Sequence, residues 1–381
     1  MNWCCFGNFK KKKKHDDPQE EISGFSQEKN IKLFSYNELR SATDSFHRDN
    51  KIGRGGFGIV YKGTLRNGRE VAAKVLSAES KQGIREFLTE IDAITNVKHP
   101  NLVELLGCCI QGNSRILVYE YLQNSSLDHA LLGPYSQPNK LNWSIRSLIC
   151  IGIARGLAFL HEELDPHIVH RDIKASNILL DQNYNPKIGD FGLAKLFPDN
   201  ITHISTRVAG TTGYLAPEYA WHGQLTKKAD IYSFGILILE IITGKSSSRT
   251  LLSEDGKLLL ERAWQLYQED RLKELVDPTL EDCPEEEVLR YMKVALFCTQ
   301  ASAMRRPNMV QVIEMLSRPI RLHEKELTPP GFINDYNSIR RDAKTGVGTS
   351  SMNSPFKSSS CSEDTVQFTT NSASFTEVIP R

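Results

Sequence analysis

The sequence lacks the marks of a disulfide framework or a zinc site. Its eight cysteines, among 381 residues, form no C-x-x-C pair and show no even spacing. Cys108 and Cys109 fall together in "LVELLGCCI", an apolar context that reads as a buried strand carrying reduced thiols in a cytosolic protein, with no structural metal. Long hydrophobic runs are also missing. The longest of note, "FGILILEII" at Phe234–Ile242, is much too short for a membrane span. A secretory signal sets its charges ahead of an apolar core, whereas here the lysines follow the first apolar residues and no cleavage-like site appears. Neither sign of charge dominates: 47 Lys and Arg against 46 Asp and Glu leave a formal net charge of +1, which excludes a global pull towards nucleic acid. No internal repeat is present. What remains is an ordinary soluble composition with ample length for a packed core.

Three regimes follow one another. Residues 1–30 are polar and basic. A lead-in over 31–45 takes in most of "FSYNELRSATDSF" (34–46), where Ser35 and Glu38 match a capping box and predict a short helix ahead of the globular core. Residues 46–320 alternate periodic apolar segments with short turns. Residues 321–381 are expected to form a Ser/Thr-rich disordered tail, with periodicity lost from about 340.

Within the middle, "KIGRGGFGIVYKG" carries Gly53, Gly55 and Gly58 in G-x-G-x-x-G spacing. Such a turn cradles phosphates in two unrelated architectures. The dinucleotide fold needs a helix straight after the third glycine. Here two strand-like runs flank Asn67-Gly68 instead, a strong hairpin signal, so the dinucleotide reading fails. Residues 82–98 then place Ile84, Phe87, Leu88, Ile91 and Ile94 at helical spacing. On that helix Glu90 lies beside the apolar stripe, and Glu86 is expected further towards solvent. Strand-like "NLVELLGCCI" and "RILVYEYL" follow, and helical patterns dominate beyond them. The class is therefore α+β, with a small β-rich part before a larger α-rich part.

Together these residues resemble a eukaryotic protein kinase. The glycine loop ends in Val60. "VAAK" closes on Lys74, with Ala in place of the more usual Ile. "HRDIKASN" runs from His170 to Asn177, "DFG" is Asp190 to Gly192, and "APE" is Ala216 to Glu218. Any one of these is weak, but five in the correct order and at kinase-like intervals leave no room for coincidence. The resemblance implies a bilobal fold, with an N-lobe over 46–119, a hinge at 120–123 and a C-lobe over 124–320. It implies that ATP and Mg²⁺ are used, with Mn²⁺ as a substitute. The adenine would lie between Ile52, Val60 and Ala72 on one side and Leu179 on the other, against a hinge at Glu120 to Leu122 with Tyr119 as gatekeeper.

The chemistry accounts for the residue types. Glycines let backbone amides approach phosphates without side chains intervening. Lys74 supplies a cation for the α- and β-phosphates, held in place by Glu90. Asn177 and Asp190 offer the hard oxygen ligands that Mg²⁺ prefers. Asp172 accepts the proton of the substrate hydroxyl, and Lys174 neutralises charge on the transferring group. By the same resemblance His170 is structural, Glu218 pairs with Arg306, and Asp230 braces the catalytic loop.

Lys174 in "RDIKASN" and Thr211 in "GTTGYLAPE" match the serine/threonine-specific pattern. Arg171, immediately before Asp172, points to control by activation-loop phosphorylation. Thr202, Ser205, Thr206 and Thr211 are the acceptors considered, with Ser205 and Thr206 favoured because Thr211 has a competing catalytic role. "HPNLVELLGCC", "LVYEYL", "NSSLD" and "GLAFLH" resemble the plant receptor-like kinase and Pelle group. Without an ectodomain or span, the chain looks like a receptor-like cytoplasmic kinase, with protein substrates and an upstream receptor kinase as partners. The rival class is a pseudokinase scaffold, which intact Lys74, Asp172, Asn177 and Asp190 argue against.

At the N-terminus "WCCFGNFKKKKKH" sets Cys4 and Cys5 beside apolar residues and then Lys10 to Lys14. S-acylation with a polybasic run makes a two-signal anchor for an anionic membrane surface, each lysine contributing about 1 kcal/mol. Asn2 stands where N-myristoylation requires glycine. The expectation is peripheral attachment at the cytoplasmic face of the plasma membrane. A solvated basic tail in the cytosol, or a nuclear localisation patch, is the other reading.

Overall fold

The computed structural model describes residues 31–332, apart from 56–57, 77–80, 133–140, 199–200, 248–257 and 282. Five antiparallel strands form the first lobe: β1 (Lys51–Gly55), β2 (Gly58–Thr64), β3 (Glu70–Leu76), β4 (Leu105–Gln111) and β5 (Ser114–Glu120), in the spatial order β1-β2-β3-β5-β4. The β2–β3 connection is the hairpin expected at Asn67-Gly68. Gly68 adopts a positive φ of 81° and donates its N–H to Leu65 O, while Asn67 Oδ1 accepts from Arg69 N. Side chains alternate across β3 with the two-residue period of a strand. Val71 and Ala73 are fully buried in a cluster on one face, leaving Ala72 and Lys74 for the other.

Helix α1 (Tyr36–Ala42) is capped by Ser35, whose Oγ accepts from Glu38 N at 3.1 Å. Read from the sequence as preceding the core, this lead-in contributes to it. Phe34 and Leu39 are buried with Val71, Ala73, Cys109 and Ile116. Residues 32–34 also lie along the edge of β4: Phe34 N donates to Cys108 O and Cys108 N to Lys32 O, at 2.8 and 2.9 Å. That pairing covers an otherwise open sheet edge. Cys108 and Cys109 are both buried, and burial pushes the Cys108 thiol up to about 12. Helix α2 (Lys81–Ile94) packs Phe87, Ile91 and Ile94 against the opposite face of the sheet.

The second lobe is mainly helical: α3 (Leu127–Leu132), α4 (Trp143–Ala158), α5 (Pro217–His222), α6 (Lys227–Thr243), α7 (Leu259–Gln268), α8 (Glu285–Cys298) and α9 (Met309–Ser317). Helix α4 continues through a π turn over Phe159–Glu163, and the combined helix is apolar and long enough by length to cross a membrane. It is a core helix instead, with Ile149, Ile153 and Leu157 fully buried against α6, α9 and the short strand Pro186–Ile188. Every residue of α6 from Ala229 to Thr243 is buried. Three small two-stranded sheets complete the lobe: β6 (His167–Val169) with β9 (Lys195–Phe197), β7 (Ile178–Leu180) with β8 (Pro186–Ile188), and β10 (Ile204–Ser205) with β11 (Gln224–Leu225).

Candidate active site

Lys74 sits mid-strand in β3, opposite Val60 of β2 and Leu117 of β5. Its ammonium forms ion pairs with Glu90 of α2 and with Asp190 Oδ1, the latter at 2.7 Å. Burial disfavours its charge, but the Asp190 and Glu90 carboxylates outweigh that and hold the lysine pKa above its ordinary value. Desolvation likewise pushes the Asp190 carboxyl up, and the Lys74 ammonium more than offsets it, holding Asp190 below the usual carboxylate range. The two acids differ in exposure. Glu90 is fully buried, whereas the Asp190 side chain is 48% exposed to the cleft.

Phe191 follows Asp190 directly. It is buried, and its ring stands edge-on to His170 at 4.8 Å and 69°. Gly192 then passes close to α2: a Cβ there would meet Glu86 Cγ and Glu90 Oε1, each at 3.3 Å. The same approach corrects the reading of Glu86. It is only 3% exposed, with Gln82 Nε2 donating to it at 3.1 Å, and burial pushes its carboxyl up to about 7. Helical phase placed it towards solvent, but the Asp190–Gly192 turn covers that side of α2.

The loop between β6 and β7 carries the second group of residues. Thr211 Oγ1 donates to Asp172 Oδ1 at 2.7 Å, while Lys174 Nζ donates to Thr211 Oγ1 and pairs with Asp172 Oδ2, both at 2.8 Å. Asn177 Nδ2 donates to the Asp172 carbonyl at 2.8 Å and to Oδ2 at 3.1 Å, which leaves the amide oxygen as its acceptor. Buried Asp230 of α6 holds the loop from below. It accepts from the backbone N–H groups of His170 (2.7 Å) and Arg171 (2.8 Å), and it pairs with His161 Nε2 at 2.9 Å. Desolvation pushes Asp230 up, but these partners outweigh it and keep the carboxyl below its usual value. Arg171 adopts a positive φ of 72°, a conformation costly for a non-glycine residue and sustained here by Asp230. A family model described as protein tyrosine and serine/threonine kinase matches residues 46–316. The chain belongs to the protein kinase family.

Relatives sharpen the placement. Cold-responsive protein kinase 1 of Arabidopsis thaliana is 54% identical over 327 residues, covering 85% of this chain and 84% of that protein. Two probable LRR receptor-like serine/threonine-protein kinases of the same plant are 51% and 48% identical, over 90% and 98% of this chain. The chain spans only 32% and 35% of their lengths. The kinase is of the plant receptor-like type, and its fold is the bilobal one.

The remaining residues considered from the sequence are spread over the strands of both lobes and the segment after β5. Ile52, Gly53 and Gly55 lie on β1, Gly58 and Val60 on β2, Ala72 on β3 opposite Tyr119, and Leu179 on β7. The glycines are not equivalent. A Cβ on Gly58 would strike Val75 O at 2.4 Å, so hairpin packing demands glycine there, whereas a Cβ on Gly55 would meet nothing within 4 Å. At the end of β5 the Glu120 carboxylate accepts from Lys187 Nζ (2.8 and 3.1 Å) and from Glu104 N (2.8 Å). The Glu120 carboxylate is thus committed within the protein, and its backbone N–H donates to Glu104 O at 3.2 Å. Leu122 follows and is buried.

The kinase's activation segment is engaged by its own chain. Arg171 donates to Leu193 O and Arg207 O, each at 3.0 Å, and twice to the Tyr219 hydroxyl at 3.1 and 2.6 Å. Tyr219 also accepts from Ala209 N at 2.9 Å. Sequence reasoning missed this tyrosine; the only signal was an aromatic directly after "APE". Thr202 and Ser205 are exposed, Ser205 pairing across β10–β11 with Gln224, and Thr206 N donates to Gly223 O. Glu218 forms a two-pronged pair with buried Arg306 at 2.7 and 2.8 Å. Cys4 and Cys5 lie outside the described residues.

Proposed function

We propose that the chain is an ATP- and Mg²⁺-dependent serine/threonine protein kinase acting in membrane-proximal signalling. The observation that carries this reading is the meeting of two assembled groups at one cleft: Lys74 with Glu90 and Asp190, and Asp172 with Thr211, Lys174 and Asn177. The donor set fits a hard cation. Asp190 presents an exposed carboxylate kept ionised by Lys74, and Asn177 retains an amide oxygen. When bound, Mg²⁺ neutralises phosphate charge in the cleft. Asp172 orients the acceptor hydroxyl and takes its proton, Lys174 offsets charge developing on the transferred phosphoryl, and Lys74 positions the other phosphates. Most of the rate gain then comes from positioning rather than covalent chemistry.

Serine/threonine specificity rests on Lys174 and Thr211, which bracket the Asp172 carboxylate. Incubation of the purified chain with labelled ATP and a protein acceptor should yield phosphoserine and phosphothreonine, and Asp172→Asn should abolish both. Label found chiefly on tyrosine would refute the specificity.

Regulation is proposed at Thr202, Ser205 and Thr206, where a phosphate would compete with the Leu193 and Arg207 carbonyls for Arg171. Thr211 is already committed to Asp172 and Lys174, so phosphate there would repel Asp172 and inactivate. Membrane attachment through acylated Cys4 and Cys5 with Lys10 to Lys14 would place the enzyme beside an upstream receptor kinase. Changing both cysteines to serine should release a fluorescent fusion from the plasma membrane; unchanged localisation would discard the acylation.

A further inference from the structure

The family match ends at residue 316, yet the chain beyond α9 stays on the helical lobe. Residues 328–332 enter a groove between the loop at 299–301, Tyr232 of α6 and the start of α5. The Thr328 N–H and hydroxyl both donate to Gln300 Oε1, at 3.1 and 2.9 Å. Ala301 N donates to Pro329 O at 3.2 Å and Gly331 N to Thr299 O at 3.1 Å, around an antiparallel bridge between Gln300 and Pro330. The Tyr232 hydroxyl donates to Gly331 O at 2.7 Å. Pro330 and Gly331 are buried. A Cβ on Gly331 would fall 2.8 Å from Pro217 Cγ and 3.0 Å from Ala301 Cα, so this backbone lies directly on the residue that opens α5.

Helix α5 is thereby gripped from two sides. Next to Pro217, Glu218 holds Arg306, whose Nε donates to Gln300 O at 2.8 Å and whose guanidinium lies 5.0 Å from the Tyr232 ring centre. On the other flank, Tyr219 receives Arg171 and Ala209 N. The stretch 207–216 leads into α5 and includes Thr211, whose hydroxyl donates to Asp172, so it borders the approach of an acceptor to that carboxylate. We propose that residues 328–332 are a clasp that positions α5, and through it the acceptor-binding face, with Tyr232, Gln300 and Gly331 as positioning residues for the protein substrate. Lys74, Asn177 and Asp190 stand on other elements, so ATP binding is spared.

The proposal rests on the chain being an active kinase, and wild-type turnover in the same assay tests that reading separately. The experiment is steady-state kinetics on the full chain with acceptor peptide and ATP varied independently. Tyr232→Phe and Thr328→Val each delete a hydrogen bond at nearly constant volume, and Gly331→Val drives a side chain into Pro217. The expected result is a rise in the peptide KM of roughly fivefold to tenfold, with the ATP KM held within about twofold. Unchanged peptide KM in the variants, or equal rises in both KM values, would overturn the clasp. Should Gly331→Val fail to fold, the two isosteric variants decide the matter on the same criteria.

Discussion

Lys74 and Asp172 each work through a neighbour that sets their geometry. Thr211 joins the Asp172 carboxylate to Lys174 with a single hydroxyl. Thr211→Ala should lower kcat by roughly tenfold to a hundredfold with little change in the ATP KM, and Thr211→Ser should restore most of the loss; equal impairment by both would show that the methyl matters and not the hydroxyl. A different residue contributes to the pH dependence of stability, alongside Glu86 and Glu90. Glu240 is fully buried in α6, accepting from the Tyr214 hydroxyl and Ser247 N, and burial pushes its carboxyl up to about 7 from 4.5. Because the folded value lies above the unfolded one, its contribution to stability is fully present below about pH 4.5 and is lost as pH rises through about 7. Glu240→Gln should therefore make the decline of Tm across that window shallower, and a slope matching wild type would contradict the assignment. At this scale the four residues Lys74, Asp172, Asn177 and Asp190 were legible, because each is embedded in a motif whose order along the chain is diagnostic. Glu86 was not. A helical wheel counts apolar neighbours on one helix, but it has no knowledge of Gly192, whose missing side chain lets the next segment cover that carboxylate.

Elements close to one another in sequence were read well, and elements joined across the fold were not. The β2–β3 hairpin and the Ser35-capped helix rest on local turn and cap chemistry. The burial of α1 depends instead on Phe34 and Leu39 meeting strands as distant as β5, and no local pattern records that. Leu39→Ala should destabilise the chain by about 2–5 kcal/mol, measured by urea unfolding; a loss near zero would mean that α1 only lies on the surface. Glu218 and Arg306 give the corresponding test in the helical lobe. Removing one partner leaves Arg306 buried without its anion, so Glu218→Ala should cost about 3–5 kcal/mol, whereas a wild-type denaturation midpoint would show that the neighbouring carbonyls suffice. The clasp at 328–332 escaped sequence reading for the same reason as α1: its partners are the Gln300 amide, the Tyr232 hydroxyl and the Pro217 ring.

The whole molecule brings a β-rich lobe against a helical lobe, with Lys74 contributed by the first and Asp190 by the second. That junction decides whether the chain transfers phosphate or only resembles proteins that do. Autophosphorylation of the purified chain beside its Asp190→Asn variant, with phosphosites mapped by mass spectrometry, is the most direct measurement. ATP-dependent phosphate on serine and threonine is expected in wild type, with that signal lost in the variant. Equal incorporation in both, or none in wild type, would contradict that expectation.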